Sequence, residues 1–161
     1  LQVTRADVNF NQWLSSFIEL LQTDFENNEL VIDNLVTDDI ELLTDFSWFT
    51  ECCVDLIRFL LAFDASADLS FNSYIESIGV DSERPSPSTE ERVIININSE
   101  QVELNTDQQK WLFTPFYSSR LLLGEKDIGL AKVKGFFDQT DAYIDWDNES
   151  GFTIEIPISS S

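Results

Sequence analysis

The chain has 161 residues, 30 of them acidic and 9 basic, so it carries a net charge of −21, and it has no histidine and no methionine. A hydrophobic content of 43% with 12% aromatics is too apolar for a disordered acidic tail, and the length suits one domain folded around its own core. Missing histidine removes histidine metal ligands, Ser-His and Cys-His nucleophile systems and any phosphoacceptor histidine from this segment. The charge opposes phosphate backbones, so nucleic acid is not an expected partner. Apolar runs fall short of the ~20 residues that cross a bilayer, and the N-terminus has no basic, then apolar, leader, so a soluble domain without membrane contact is expected. Cys52 and Cys53 are adjacent and would close almost no loop; they read as reduced core residues of a cytoplasmic protein. A chain that starts at Leu1 without methionine is expected to be a piece of a larger one.

The first predicted element is a helix from about Asn9 to Asn27, where Phe10, Trp13, Leu14, Phe17, Ile18, Leu21 and Phe25 recur at steps of three and four. Asn9 and Gln12 suit a capping box, with Val8 and Trp13 placed for a hydrophobic staple. Alternation then predicts a strand over Glu29 to Val36. A second, largely buried helix is predicted from about Asp45 to Asp64, because apolar residues cover more than half its circumference. Strands come next over Leu69 to Val80 and Arg92 to Asn98, joined by a solvated connection, Asp81 to Glu91, that contains Pro85 and Pro87 and is expected to move. Thr106 with Gln109 marks a short helix through Leu112. A third long helix is predicted from about Lys126 to Phe137, then a strand pair, Ala142 to Trp146 and Phe152 to Ile158. This order suits an α/β (α+β) two-layer sandwich with helices on one side of a mixed sheet.

The C-terminal third carries an ordered set of motifs. Leu112-Phe113-Thr114-Pro115-Phe116-Tyr117 comes first, Gly129-Leu130-Ala131 with Val133-Lys134 next, and Gly151-Phe152-Thr153-Ile154-Glu155-Ile156-Pro157 closes the chain. The set resembles the ATP-binding domain of sensor histidine kinases: a Phe-x-Pro-Phe box before a mobile lid, a glycine turn opening a helix, and a closing hairpin. Val8 to Leu14 is similar to the start of that family's first helix, and Asp45 to Ile57 to the helix that bears its asparagine box. The resemblance covers nearly the whole of residues 1–161 and implies a Bergerat-type mixed sheet covered on one face by three helices.

The resemblance also implies where nucleotide chemistry would sit. The family's Mg-binding asparagine falls on Phe59 or on Leu61, depending on the end from which the helix is counted, and neither side chain can ligate a cation. The adenine-reading aspartate falls on Ser99, and the glycines after it on Gln101 and Glu103. In the second glycine box Gly129 remains, while Glu125 and Asp127 stand where glycines let backbone approach phosphates. The resemblance therefore implies a degenerate domain with the fold kept and the ATPase chemistry lost, so no cofactor is expected. It would act as an interaction or regulatory module in two-component or phosphorelay signalling, with a signalling protein or response regulator as partner, or a second copy as a homodimer. The alternatives are an atypical kinase or ATPase holding Mg-ATP through Ser99 and Lys126, Lys132 or Arg120, and the ATPase-like part of a histidine phosphotransferase whose histidine lies outside this segment.

Residues 1–81 carry −14, whereas Lys110 to Lys134 carry +3. The positive stretch reads first as a solvated helix face; phosphate contact or docking through Arg120, Lys126, Lys132 and Lys134 is the functional alternative. Asp145 to Gly151 superficially suggests a calcium loop, but Ser150 stands at the glycine position and Ile156 at the bidentate glutamate, so a hairpin turn is expected and no metal site. Asp38 and Asp39 read as a solvated turn.

Overall fold

The computed structural model describes residues 2–80, 88–114 and 130–159. The elements in chain order are β1 (Ala6–Asn9), α1 (Phe10–Asp24), β2 (Leu30–Asn34), β3 (Glu41–Thr44), α2 (Phe46–Phe63), β4 (Leu69–Val80), β5 (Ser88–Asn98), α3 (Thr106–Trp111), α4 (Leu130–Gln139), β6 (Tyr143–Asp147) and β7 (Gly151–Pro157). Five strands form a mixed sheet in the order β2-β4-β5-β7-β6. Only β2 and β4 run parallel; the other neighbours are antiparallel.

One face of the sheet is apolar because the strands alternate. Phe71, Val93, Ile95, Ile97, Phe152, Ile154, Ile156 and Ile144 are all buried, and α1, α2 and α4 pack over them. Trp13 on α1 stacks on Phe17 at 4.9 Å and meets Phe49 of α2 at 4.3 Å, while Phe17 reaches Phe71 of β4 at 5.7 Å. Each such ring contributes roughly 1.5–3 kcal/mol through burial. The Trp13 indole N–H donates to Thr50 Oγ1 at 2.9 Å, so its one polar atom is satisfied within the layer. The opposite face is mostly polar, with Asp33, Asn72, Asn96, Thr153 and Asp145 aligned in one cross-strand row. Two layers with helices on a single face are thus what the sequence pattern predicts.

The helix starts are set by local chemistry. Asn9 Oδ1 accepts from Gln12 N at 3.0 Å and Asp45 Oδ1 from Trp48 N at 3.2 Å, each satisfying an orphan N–H of a first turn. The short helix α3 is capped one residue earlier than its sequence suggests. Asn105 and Gln108 form the reciprocal box, at 2.8 and 2.9 Å, and Gln109 instead donates to Leu104 O at 2.9 Å.

Two further differences have physical reasons. Strands β1 and β3 were not expected; they pair with each other from Ala6↔Thr44 to Asn9↔Glu41, a contact between segments far apart in sequence. Leu42 then bridges to Ile158 and Ser159 N donates to Glu41 O at 2.7 Å, which ties the pair to the end of β7. Strand β5 begins at Ser88 rather than Arg92, because residues 88–91 of the expected connection pair with the end of β4. The remainder of that connection, residues 81–87, and the expected start of α4 before Leu130 lie outside the described residues. Asp145 to Gly151 forms the hairpin between β6 and β7. No described helix is long and apolar enough to cross a membrane.

Candidate functional site

Strand β5 delivers Val93, Ile95 and Ile97 to the core, and the same alternation turns Ser99 inward, where it is 2% exposed. Its hydroxyl donates to Gln101 Oε1 at 2.9 Å and accepts from Gln101 N at 3.4 Å. Gln101 Oε1 accepts a second bond, from Asp68 N at 3.1 Å, while Val102 N donates to Ser99 O at 3.2 Å. Ser99 and Gln101, two of the candidate positions, are therefore hydrogen-bonded to each other. Val102 and Leu104 are buried, which turns the intervening Glu103 out to solvent. Among the described residues only Asp141 and Gly151 have positive φ, so this turn uses no conformation that needs glycine.

The hairpin β6–β7 holds the same turn from the other side. Asn148 Nδ2 donates to Leu104 O and its Oδ1 accepts from Leu104 N, both at 3.0 Å, and Trp146 Nε1 donates to the same Oδ1 at 2.9 Å. Asn98 Nδ2 donates to Glu149 O at 3.2 Å. No sequence motif pointed to Asn148; the only signal was its place in a polar hairpin turn.

On α2, Phe59 is fully buried and meets Phe152 of β7 edge-on at 5.6 Å. Phe63, one turn further along the same face, joins it at 5.0 Å. Leu61 is half-buried and packs against the core. None of the three side chains has an atom that could hold Mg²⁺.

The two described candidate lysines face different ways. Lys132 places its Nζ 4.7 Å from the Trp48 ring centroid, and its charge acts on Asp55 of α2. Lys134 pairs with Asp138 at 2.7 Å and lies 5.9 Å from the Tyr143 ring centroid. Arg120, Glu125, Lys126, Asp127 and Gly129 lie outside the described residues. Beside α3, Gln109, Leu112, Phe113 and Trp146 help to line a cleft of about 440 Å³, and none of the described candidate residues belongs to it.

The thiols are chemically quiet. Burial, followed by Asp55 and Glu51, pushes the Cys52 thiol up to about 12, with Lys132 opposing; burial pushes Cys53 well up too, and both are free and buried. Burial also raises the Asp55 carboxyl, chiefly against the pull of Arg58.

The fold is that of the ATP-binding, catalytic domains of histidine kinases. The catalytic domain of histidine kinase ThkA superposes with a TM-score of 0.68 at 17% identity, over 96% of this chain and 97% of that one. Acinetobacter baumannii histidine kinase AdeS gives a TM-score of 0.65 at 18% identity, over 99% of this chain and 70% of that one. Full-length ShkA, solved in complex with AMPPNP, gives 0.64 at 14% identity over 98% of this chain, which spans 31% of ShkA. At these identities the likeness is one of fold. No family model matches the sequence, and no curated protein matches it.

Proposed function

We propose that the chain is a degenerate, non-catalytic histidine-kinase ATPase-like domain that serves as an interaction or regulatory module in two-component or phosphorelay signalling. The observation that carries this reading is Ser99. At the position where the resembled family aims a carboxylate at adenine, this chain has a buried hydroxyl already engaged with Gln101 at 2.9 Å. Phe59 adds support, because one of the two helix positions on which the family's cation ligand falls is packed into the core against Phe152. The partner is a signalling protein or response regulator in the cytoplasm, steered by the acidic surface in a salt-dependent way. Thermal melts in millimolar Mg-ATP and Mg-ADP test this. A nucleotide at 100 times its dissociation constant would stabilise the fold by about 2.7 kcal/mol, and no shift is expected.

The second reading is a working nucleotide site of altered design, favoured by the AMPPNP held by the structurally similar ShkA. It would use Ser99 toward the base and Arg120, Lys126 or Lys132 toward phosphate. A melt shift with Mg-ATP that Ser99→Ala abolishes would establish it and overturn the first reading.

A further inference from the structure

We propose that the open edge of β2 is a docking site for an extended, basic segment of a partner protein, which adds a strand to the five-stranded sheet. This deepens the interaction-module reading, on which it rests, by naming the surface and the chemistry of what binds there.

Strand β2 lies at the end of the sheet and pairs only with β4 among the described residues. Two bonds fix which backbone groups are used: Leu69 N donates to Glu29 O at 2.8 Å, and Leu35 N donates to Ser73 O at 2.8 Å. With the parallel register Leu30↔Leu69 to Asn34↔Ser73, the alternation assigns Val31 and Asp33 to the β4 ladder. The N–H and C=O groups of Leu30, Ile32 and Asn34 therefore point to the open edge, a ready template for another strand.

The side chains beside that edge favour one kind of occupant. Val31 is 56% exposed and Leu35 65%, which gives an added strand apolar surface to cover. Glu26, Glu29, Asp33, Asp38 and Asp39 flank them in sequence, and no lysine or arginine occurs anywhere between Ala6 and Ile57. On the outer face, Val31 continues into a cleft of about 230 Å³ walled by Glu29, Asp68 and Glu100, where a lysine or arginine of the added strand finds carboxylates. A second copy is a poor occupant, because edge-to-edge pairing would oppose Glu29 and Asp33 to their own like charges. The edge is also held ready. Asn34 Oδ1 accepts from Ser73 Oγ at 2.7 Å and from Val36 N at 3.0 Å, and Asn34 Nδ2 donates to Asn11 Oδ1 at 3.0 Å, so the exit of β2 needs no ordering on binding.

The test uses a short synthetic peptide alternating lysine with valine, and the same peptide N-methylated on alternate amides so that it cannot pair along the strand. Amide hydrogen exchange of the chain is followed with each probe. The expected result is added protection at Leu30, Ile32 and Asn34 with the first peptide and none with the second. Paired substitutions Glu29→Lys and Asp33→Lys at exposed positions should weaken binding about tenfold, in step with loss of salt dependence. Equal binding of both peptides, protection elsewhere, or no binding at all would overturn the proposal. Concentration-dependent protection of the same amides without peptide would also overturn it, since the occupant would then be a second copy. No nucleotide enters this experiment, so its failure counts against the edge alone, whereas a melt shift with Mg-ATP counts against the non-catalytic reading alone.

Discussion

Asn148 holds the Leu104 peptide at both ends, donating to its carbonyl and accepting from its N–H at 3.0 Å each. The side-chain amide thus mimics a strand neighbour and fastens the turn after β5 to the hairpin β6–β7. Asn148→Ala leaves both Leu104 groups and the Trp146 indole without their partner, and should cost about 1–3 kcal/mol by denaturant titration. Amide exchange should rise over residues 99–105, where a purely global effect would raise it everywhere. Asn148→Asp, which keeps the acceptor and loses the donor, should fall between the two.

A second prediction concerns Gly151, which starts β7 with φ of 73°. An added Cβ would stand 2.5 Å from Ile97 O, 2.7 Å from Asn98 Oδ1 and 2.8 Å from Asn98 Cα. Two of these atoms are backbone of a central strand and cannot step aside. Gly151→Ala should lower stability by about 1–3 kcal/mol from the left-handed backbone alone, with the clash in addition. An unchanged melting temperature would show that the strands separate more easily than their ladder implies.

Phe59 allows the nucleotide question to be asked by substitution. Phe59→Asn puts the resembled family's residue type at one of the two positions, Phe59 and Leu61, on which its asparagine falls, but it places an amide against Phe152 and Phe63. Lost packing and an unsatisfied buried amide should together cost about 4 kcal/mol or more. Calorimetric titration of the variant with Mg-ATP should show no binding; recovered binding would mean that this helix face opens to the nucleotide.

The paired thiols predict an alkaline limit to stability. Both have folded pKa values raised above the ordinary 9.0, so their contribution is complete below pH 9.0 and is lost as pH rises through the folded values, about 12 for Cys52. Tyr74, raised by burial and then by Glu76 and Glu155, acts in the same direction above its ordinary 10.0. Stability should fall through this window, and Cys53→Ala should flatten the fall. In the native state at pH 8 neither cysteine should react with a maleimide at a rate comparable to that of the urea-unfolded chain.

The long elements were legible in residue order because burial imposes a period. Apolar spacing on α1 and α2 located both helices within a few residues, and alternation placed β4 at Leu69–Val80. Strands β1 and β3 were not legible. Each has four residues, too few to show a period, and each exists through the other and through Leu42 at Ile158. The cap of α3 moved by one residue because Thr106 and Asn105 can both serve, and the reciprocal bond from Gln108 decides between them.

The candidate site divides along the same line. The sequence by itself determined the residue types on which the proposed reading rests: no histidine in the chain, a serine at 99 followed by Gln101 and Glu103, and Phe59 and Leu61 on the second helix. These are statements about composition at a position, and they need no coordinates. Only the tertiary structure decided that Ser99 is closed onto Gln101, that Asn148 clamps the Leu104 peptide, and that β2 is an edge strand among the described residues. The physical reason is that hydrogen-bond partners and free sheet edges depend on which distant segments meet, and strand order is a property of the whole folded chain.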